Sequence, residues 1–454
     1  MMVCTPSPVE ILRNKLLPAR VFLAGRLRPL GVMILLVTTG FVPASIRAQD
    51  FDHEPINYAQ SKANNAVSRL QTRLEDGTTK LASDDQQGYL AALLTELDIP
   101  VSSQTLVFSK TSLQRNRITP RTPRALYFND DVYVGYCQMG DVLELSAADP
   151  ELGTVFYTLY QETKQPRLVR QVDNCLQCHG STMTRGVPGH LLRSVYVDSA
   201  GFPMLSLGTH RVDQTTPISN RWGGWYVTGT HGEQAHLGNL VLSNTPEREP
   251  VDNAGGQNVT DLSKRLRTAE YLSPHSDLIA LMVLEHQTEM HNLLTRANFQ
   301  TREALFAEVG LNKSLGEPLD HRWQSTTTRI ESSCEALVKY LFYCGETPLT
   351  GHLEGTSTFA ADFANQGPRD PNGRSLRDFD LERRMFKYPC SYLIHSHSFD
   401  ALPKEAMQVV VRRMRAVLTG TDKSKEFAHL SDADRAAILE IIQATKPGLL
   451  DDPK

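Results

Sequence analysis

The chain has 454 residues, with 47 Lys and Arg against 51 Asp and Glu, a formal net charge of −4. So even a balance suggests neither a nucleic-acid nor a polyanion partner. Hydrophobic residues make up 40% of the chain, which is ordinary for a globular protein, and the length suits two to three domains.

In chain order, Arg13, Lys15, Arg20, Arg26 and Arg28 form a basic start, followed by an apolar run at 30–42 and small residues up to Ala48. This is the layout of a secretory signal peptide, expected over residues 1–48. The apolar run is shorter than the ~20 residues that span a bilayer. No later run is long enough for a membrane span. The mature protein is therefore expected outside the cytoplasm, in the periplasm or otherwise exported.

Residues 56–98 read as helical, with Ala63, Val67, Leu70 and Leu74 at helical spacing and a second helix over 85–97. From 104 to 173 the pattern changes to short apolar or aromatic runs at 106–108, 125–128, 132–136, 142–145, 154–159 and 167–172. Pro, Asp, Asn and Gly separate them, as strands and turns require. Strands are expected again at 194–197, 203–207 and 225–228.

Between these runs stands Cys175-Leu-Gln-Cys178-His179, a C-x-x-C-H motif. Two thiols one helical turn apart can each form a thioether to a haem vinyl group. The histidine that follows is then placed to ligate the iron. A zinc half-site or a redox dithiol are the other readings of the spacing. Zinc would want about four ligands, and no second C-x-x-C exists in the chain. In this motif the chain resembles c-type cytochromes. The resemblance implies one covalent haem c, held by Cys175 and Cys178 with His179 on the iron, and an electron-transfer role. Export agrees with it, because c-type haem is attached outside the cytoplasmic membrane. Small soluble cytochromes c are all-helical with the motif near the start of the chain. Here strand-like runs flank it, so the expected fold class is α+β rather than all-α.

Residues 243–262 are rich in Pro, Gly, Asn and Glu and read as a linker. The expected organisation is an α+β haem-attachment domain over 49–242, then a mainly helical domain over 263–454 packed on it. Ser273-Pro274 suits a helix start, with that helix running to about 298 and further helices at 301–309, 331–343, 403–418 and 431–445. Ser431 to Asp434 has the form of a capping box with Asp in place of Glu. Cys334 and Cys344 lie about 15 Å apart if on one helix, too far for a disulfide. Cys390 is the better partner for either, with free thiols as the alternative.

A sixth ligand would close the haem iron for electron transfer, whereas an open position would admit a small molecule. Met183, His190, Met204 and His210 follow the motif closely. His231 and His236 lie in a glycine-rich loop after Arg221, Trp222 and Trp225, which could line a haem edge or hold a propionate. Met282, His286 and Met290 repeat every four residues on one helix face, near His275 and His291. His286, then His231, are the first candidates for the sixth ligand. His395 and His397 would share a face if extended. The expected function is an exported monohaem electron carrier, with a redox protein or small molecule as partner. The alternatives are a peroxidase-like haem enzyme or a haem-based small-molecule binding module.

Overall fold

A computed structural model describes residues 50–161, 166–243 and 251–451. The signal segment expected at 1–48 lies outside the described residues. The fold is α+β: short helices, then a strand-rich stretch, then a mainly helical C-terminal half.

Two helices come first, α1 (Ala66–Glu75) and α2 (Leu90–Glu96). Asn65 caps α1 by accepting from Ser68 N, with the Ser68 hydroxyl returning the bond. Then come β1 (Thr105–Val107), β2 (Arg124–Phe128), β3 (Val132–Tyr136), β4 (Val142–Asp149), β5 (Gly153–Tyr160) and β6 (Leu168–Gln171). The motif forms a one-turn helix, α3 (Leu176–His179). A small pair follows, β7 (Arg193–Val195) with β8 (Thr209–Arg211), and then β9 (Trp225–Tyr226) and β10 (Gly229–Thr230). The C-terminal half holds α4 (Leu278–Leu315), α5 (Gln324–Leu341), β11 (Glu354–Gly355), α6 (Phe359–Asn365), α7 (His397–Asp400), α8 (Lys404–Leu418) and α9 (Asp432–Thr445). Among the described residues no helix is long and apolar enough to cross a membrane.

The main sheet has seven antiparallel strands in the order β6-β5-β4-β3-β2-β1-β9. Because side chains alternate across a strand, the register fixes two faces. Tyr127, Val134, Leu145 and Tyr157 are aligned on one face. They share a buried cluster with Val67 and Leu70 of α1 and Leu90 and Leu93 of α2. Phe128, Tyr133, Ser146 and Phe156 are aligned on the other. Phe128 and Tyr133 join the cluster built around α4. Phe299 of α4 belongs to the first cluster, so this one helix is built into both.

Several elements depart from the sequence pattern. The helix expected from Ser273 begins at Leu278, capped by Asp277, whose carboxylate accepts from Ile279 N and Ala280 N. Residues just before it are drawn into the sheet: Ser276 accepts from Leu106 N and donates to Tyr226 O, and its carbonyl accepts from Thr228 N. The helices expected at 273–298 and 301–309 are one helix of 38 residues, ended by left-handed Gly316. The strand expected at 203–207 is a 3-10 turn at Leu205–Leu207. His395 ends a 3-10 turn and His397 starts α7, so they do not alternate along a strand. The described cysteines are all free thiols, so Cys390 is bonded to neither Cys334 nor Cys344. Within the segment read as a linker, Asn253 and Asn258 donate to backbone carbonyls of the 232–238 loop. From Phe51 onward the chain is one compact unit.

Candidate functional site

Strand β6 delivers the chain from the sheet directly into the motif. Cys175 already has helical dihedrals, and its carbonyl accepts from Cys178 N at 3.3 Å and His179 N at 2.9 Å. The two thiols therefore stand one turn apart, as the sequence implied. Leu176 is buried and pins the turn to the core, while Cys178 is exposed and Cys175 half-buried. Gly180 ends the helix, and Ser181 donates its hydroxyl to Cys178 O at 3.0 Å.

His179 is held at two points by one residue. Gly189 N donates to His179 O at 2.8 Å, and Gly189 O accepts from His179 Nδ1–H at 2.9 Å. A carbonyl only accepts, so the proton is on Nδ1 and the Nε2 lone pair is left free for a metal. Among the described residues Nε2 has no hydrogen-bond partner. The ring packs on Phe156, with centroids 4.9 Å apart. Burial pushes the imidazole pKa below its ordinary value, with the Gly189 bond opposing. The ring is thus neutral at neutral pH, the form that binds iron. Burial also pushes the Cys175 thiol up to about 11.

A side chain at 189 would have to displace a neighbour. A Cβ there would stand 2.2 Å from Asn292 Oδ1 and 3.2 Å from Thr184 Cβ. Around this centre lie several arginines. Arg185 and Arg211 both reach the Glu289 carboxylate on α4, Arg211 at 3.2 Å. Arg124 pairs with Glu144 at 2.7 Å on the sheet face beside Cys175. Arg193, half-buried near Cys178, donates to Thr209 Oγ1 at 2.9 Å, and its carbonyl accepts from Trp225 Nε1 at 2.9 Å.

The residues offered for the sixth ligand are distributed more widely. His286 is fully buried, bonded at Nδ1 to Gln214 Oε1 (2.7 Å) and at Nε2 to Ser391 Oγ (2.8 Å), and stacked on Tyr340 and Tyr343. Both its nitrogens are committed inside the α4 cluster. His231 accepts from Asn258 N through Nε2 at 2.9 Å, and its Nδ1 is buried without a partner. His236 accepts from Gly238 N and packs on Trp222. His190 is bonded to Ser146 and Thr154 hydroxyls, and His291 donates Nε2–H to Asp130 O. Met282 and Met290 are buried in the core. Met183 is exposed, and Met204 and His210 are half-buried. Arg221 does not face the motif. It is buried against Glu285 at 2.8 Å, and it also donates to Thr216 O and Gln214 O.

Gly189, Asn292 and Phe156 pack around the candidate site, and the sequence did not point to them. The run Gly186-Val-Pro-Gly189-His190 carried a turn signal, but nothing in it named the residue that would bond His179. Among the described residues no group of three or more His, Cys, Asp or Glu is placed to hold a metal ion. No known protein family matches this chain, and no curated protein or solved structure shows significant similarity to it.

Proposed function

We propose that this chain is an exported monohaem c-type cytochrome that carries electrons. Cys175 and Cys178 would hold the haem through thioethers, and His179 would ligate its iron through Nε2. The observation that carries this reading is His179 itself: Nδ1–H is committed to Gly189 O and Nε2 is free. In metal-binding imidazoles the ring nitrogen away from the metal likewise donates its proton to a carbonyl or carboxylate, which fixes the ring and its tautomer. The Cys175 thiol argues against a redox dithiol, since such an attacking cysteine needs a lowered pKa and this one is raised. When bound, the haem supplies a one-electron ferric/ferrous couple. The chain's own part is to fix the imidazole tautomer, to keep the ring neutral and to leave the Cys178 edge exposed to a partner. The basic and apolar segments before residue 49 support export.

A second reading has one observation in its favour. Both first candidates for the sixth ligand, His286 and His231, are engaged elsewhere. An iron with an exchangeable sixth position would bind or activate a small molecule instead.

The test is to express the full chain in a host with haem c maturation machinery and to measure mass, absorption and EPR. One covalent haem, lost in Cys175→Ala/Cys178→Ala, supports the proposal. A colourless product with the mass of the bare chain overturns it. A low-spin spectrum in both oxidation states favours the electron carrier, and a high-spin ferric spectrum that shifts with carbon monoxide after reduction favours the second reading.

A further inference from the structure

Behind the bond between His179 and Gly189 stands a single buried side chain. Asn292, on α4, is 1% exposed. Its Oδ1 accepts from His190 N at 2.9 Å and its Nδ2 donates to His190 O at 2.8 Å. Both backbone groups of the residue after Gly189 are thus gripped by one amide. The same Oδ1 occupies the space a side chain at 189 would need. Asn292 Nδ2 also reaches Glu289 Oε2 at 3.2 Å, and Glu289 in turn receives Arg185 and Arg211. The segment 185–190 is therefore fixed to α4 at both ends.

We infer that Asn292 is a positioning residue that sets the reduction potential at this site, by holding the Gly189 carbonyl against His179 Nδ1–H. This rests on the haem reading above. A firm bond at Nδ1–H puts negative charge on the imidazole and makes Nε2 a stronger donor, which favours ferric over ferrous iron. Removing the amide frees 189–190 to drift from the ring. The imidazole then donates less and the couple moves toward the ferrous form.

The experiment compares haem-loaded wild type with Asn292→Ala, Gly189→Ala and Met290→Leu by potentiometric titration and urea denaturation. In Gly189→Ala the new Cβ drives the amide aside without removing it. Met290 is equally buried on the same helix, but two positions before Asn292 and so turned to another face. The expected result for Asn292→Ala and Gly189→Ala is at least a tenfold shift of the equilibrium toward ferrous at a fixed potential. For a one-electron couple that is about 59 mV more positive. Met290→Leu loses stability and keeps the wild-type midpoint. If the first two variants lose stability yet keep a midpoint within twofold of wild type in that equilibrium, Asn292 only packs and the inference fails alone. If Asn292→Ala does not fold, Gly189→Ala decides by the same criterion. Wild type that comes out without haem overturns this inference together with the reading it rests on.

Discussion

Arg221→Met tests whether the arginine beside the glycine-rich loop serves the core or the proposed haem. Its guanidinium is 3% exposed and its partner Glu285 1%. Burial, partly offset by Arg221, carries the Glu285 carboxyl up to about 7. Raised from an ordinary value near 4.3, the ionised form carries a penalty of roughly 3–4 kcal/mol in the folded chain. The folded state keeps a proton that the unfolded chain releases, so stability falls as pH rises from about 4.3 toward 7. Removing Arg221 pushes Glu285 higher and extends that fall upward. At pH 5 the carboxyl is protonated in the folded state, and the loss reduces to the carbonyls of Thr216 and Gln214, left without their donor. That loss is about 1–3 kcal/mol. At pH 8 the cost of a buried Glu285 carboxyl without its arginine, held protonated or ionised unpaired, is added, and the total approaches about 3–5 kcal/mol. Glu346, also carried up to about 7 and also eased by Arg221, moves the same way. Arg221→Met/Glu285→Leu should therefore retain only the smaller part of the slope. Urea midpoints followed by far-ultraviolet circular dichroism at pH 5 and 8 give the numbers. A loss equal at the two pH values refutes the electrostatic argument. A loss of bound haem at unchanged stability returns Arg221 to the haem edge.

Two further outcomes follow from the same packing. His286→Leu leaves Gln214 Oε1 and Ser391 Oγ without their shared partner, so it should cost about 2–4 kcal/mol, and if haem is bound as proposed its spectrum should stay unchanged. A change of spin state in that variant would instead place His286 on the iron. Alkylation of the denatured, unreduced chain should label Cys137, Cys334, Cys344 and Cys390 alike. A pair that resists until reductant is added would mean a disulfide where the structure has free thiols.

What was legible in the sequence was whatever a short window determines. The run at 132–136 is a strand because Asp130 and Asp131 precede its aromatic and branched residues and the turn residues Gly140 and Asp141 follow shortly after. The C-x-x-C-H motif forms its turn locally, as its spacing implied. The Ser431 capping box also forms within four residues. The start of α4 was not legible, because Ser276 is claimed by β1 and β9 from more than 40 residues away. Gly189 was not legible as the partner of His179 for a related reason. The need for glycine there comes from Asn292, about 100 residues later.

The stripe of Met282, His286 and Met290 packs into the core for a physical reason that also explains the site. A helix with one solvated face reports its buried side by its period. Between 278 and 295 α4 has no solvated face at all, so its polar residues do not mark an outside. Most of the longer ones answer a partner across the core: Glu285 meets Arg221, Gln287 donates to Tyr133 and accepts from Tyr392, Glu289 receives Arg185 and Arg211, and Asn292 grips His190. Buried polar groups are tolerated only when so paired. The pairs fix rotation and register of α4 against the sheet, because a slip by one residue would leave every one of them unsatisfied. Since His179 takes its orientation from Gly189, and Gly189 sits against Asn292, the geometry of the motif is inherited from the polar side of this helix. Sequence spacing within the motif sets which atoms could bind an iron. The register of a helix far along the chain sets how firmly one of them is aimed.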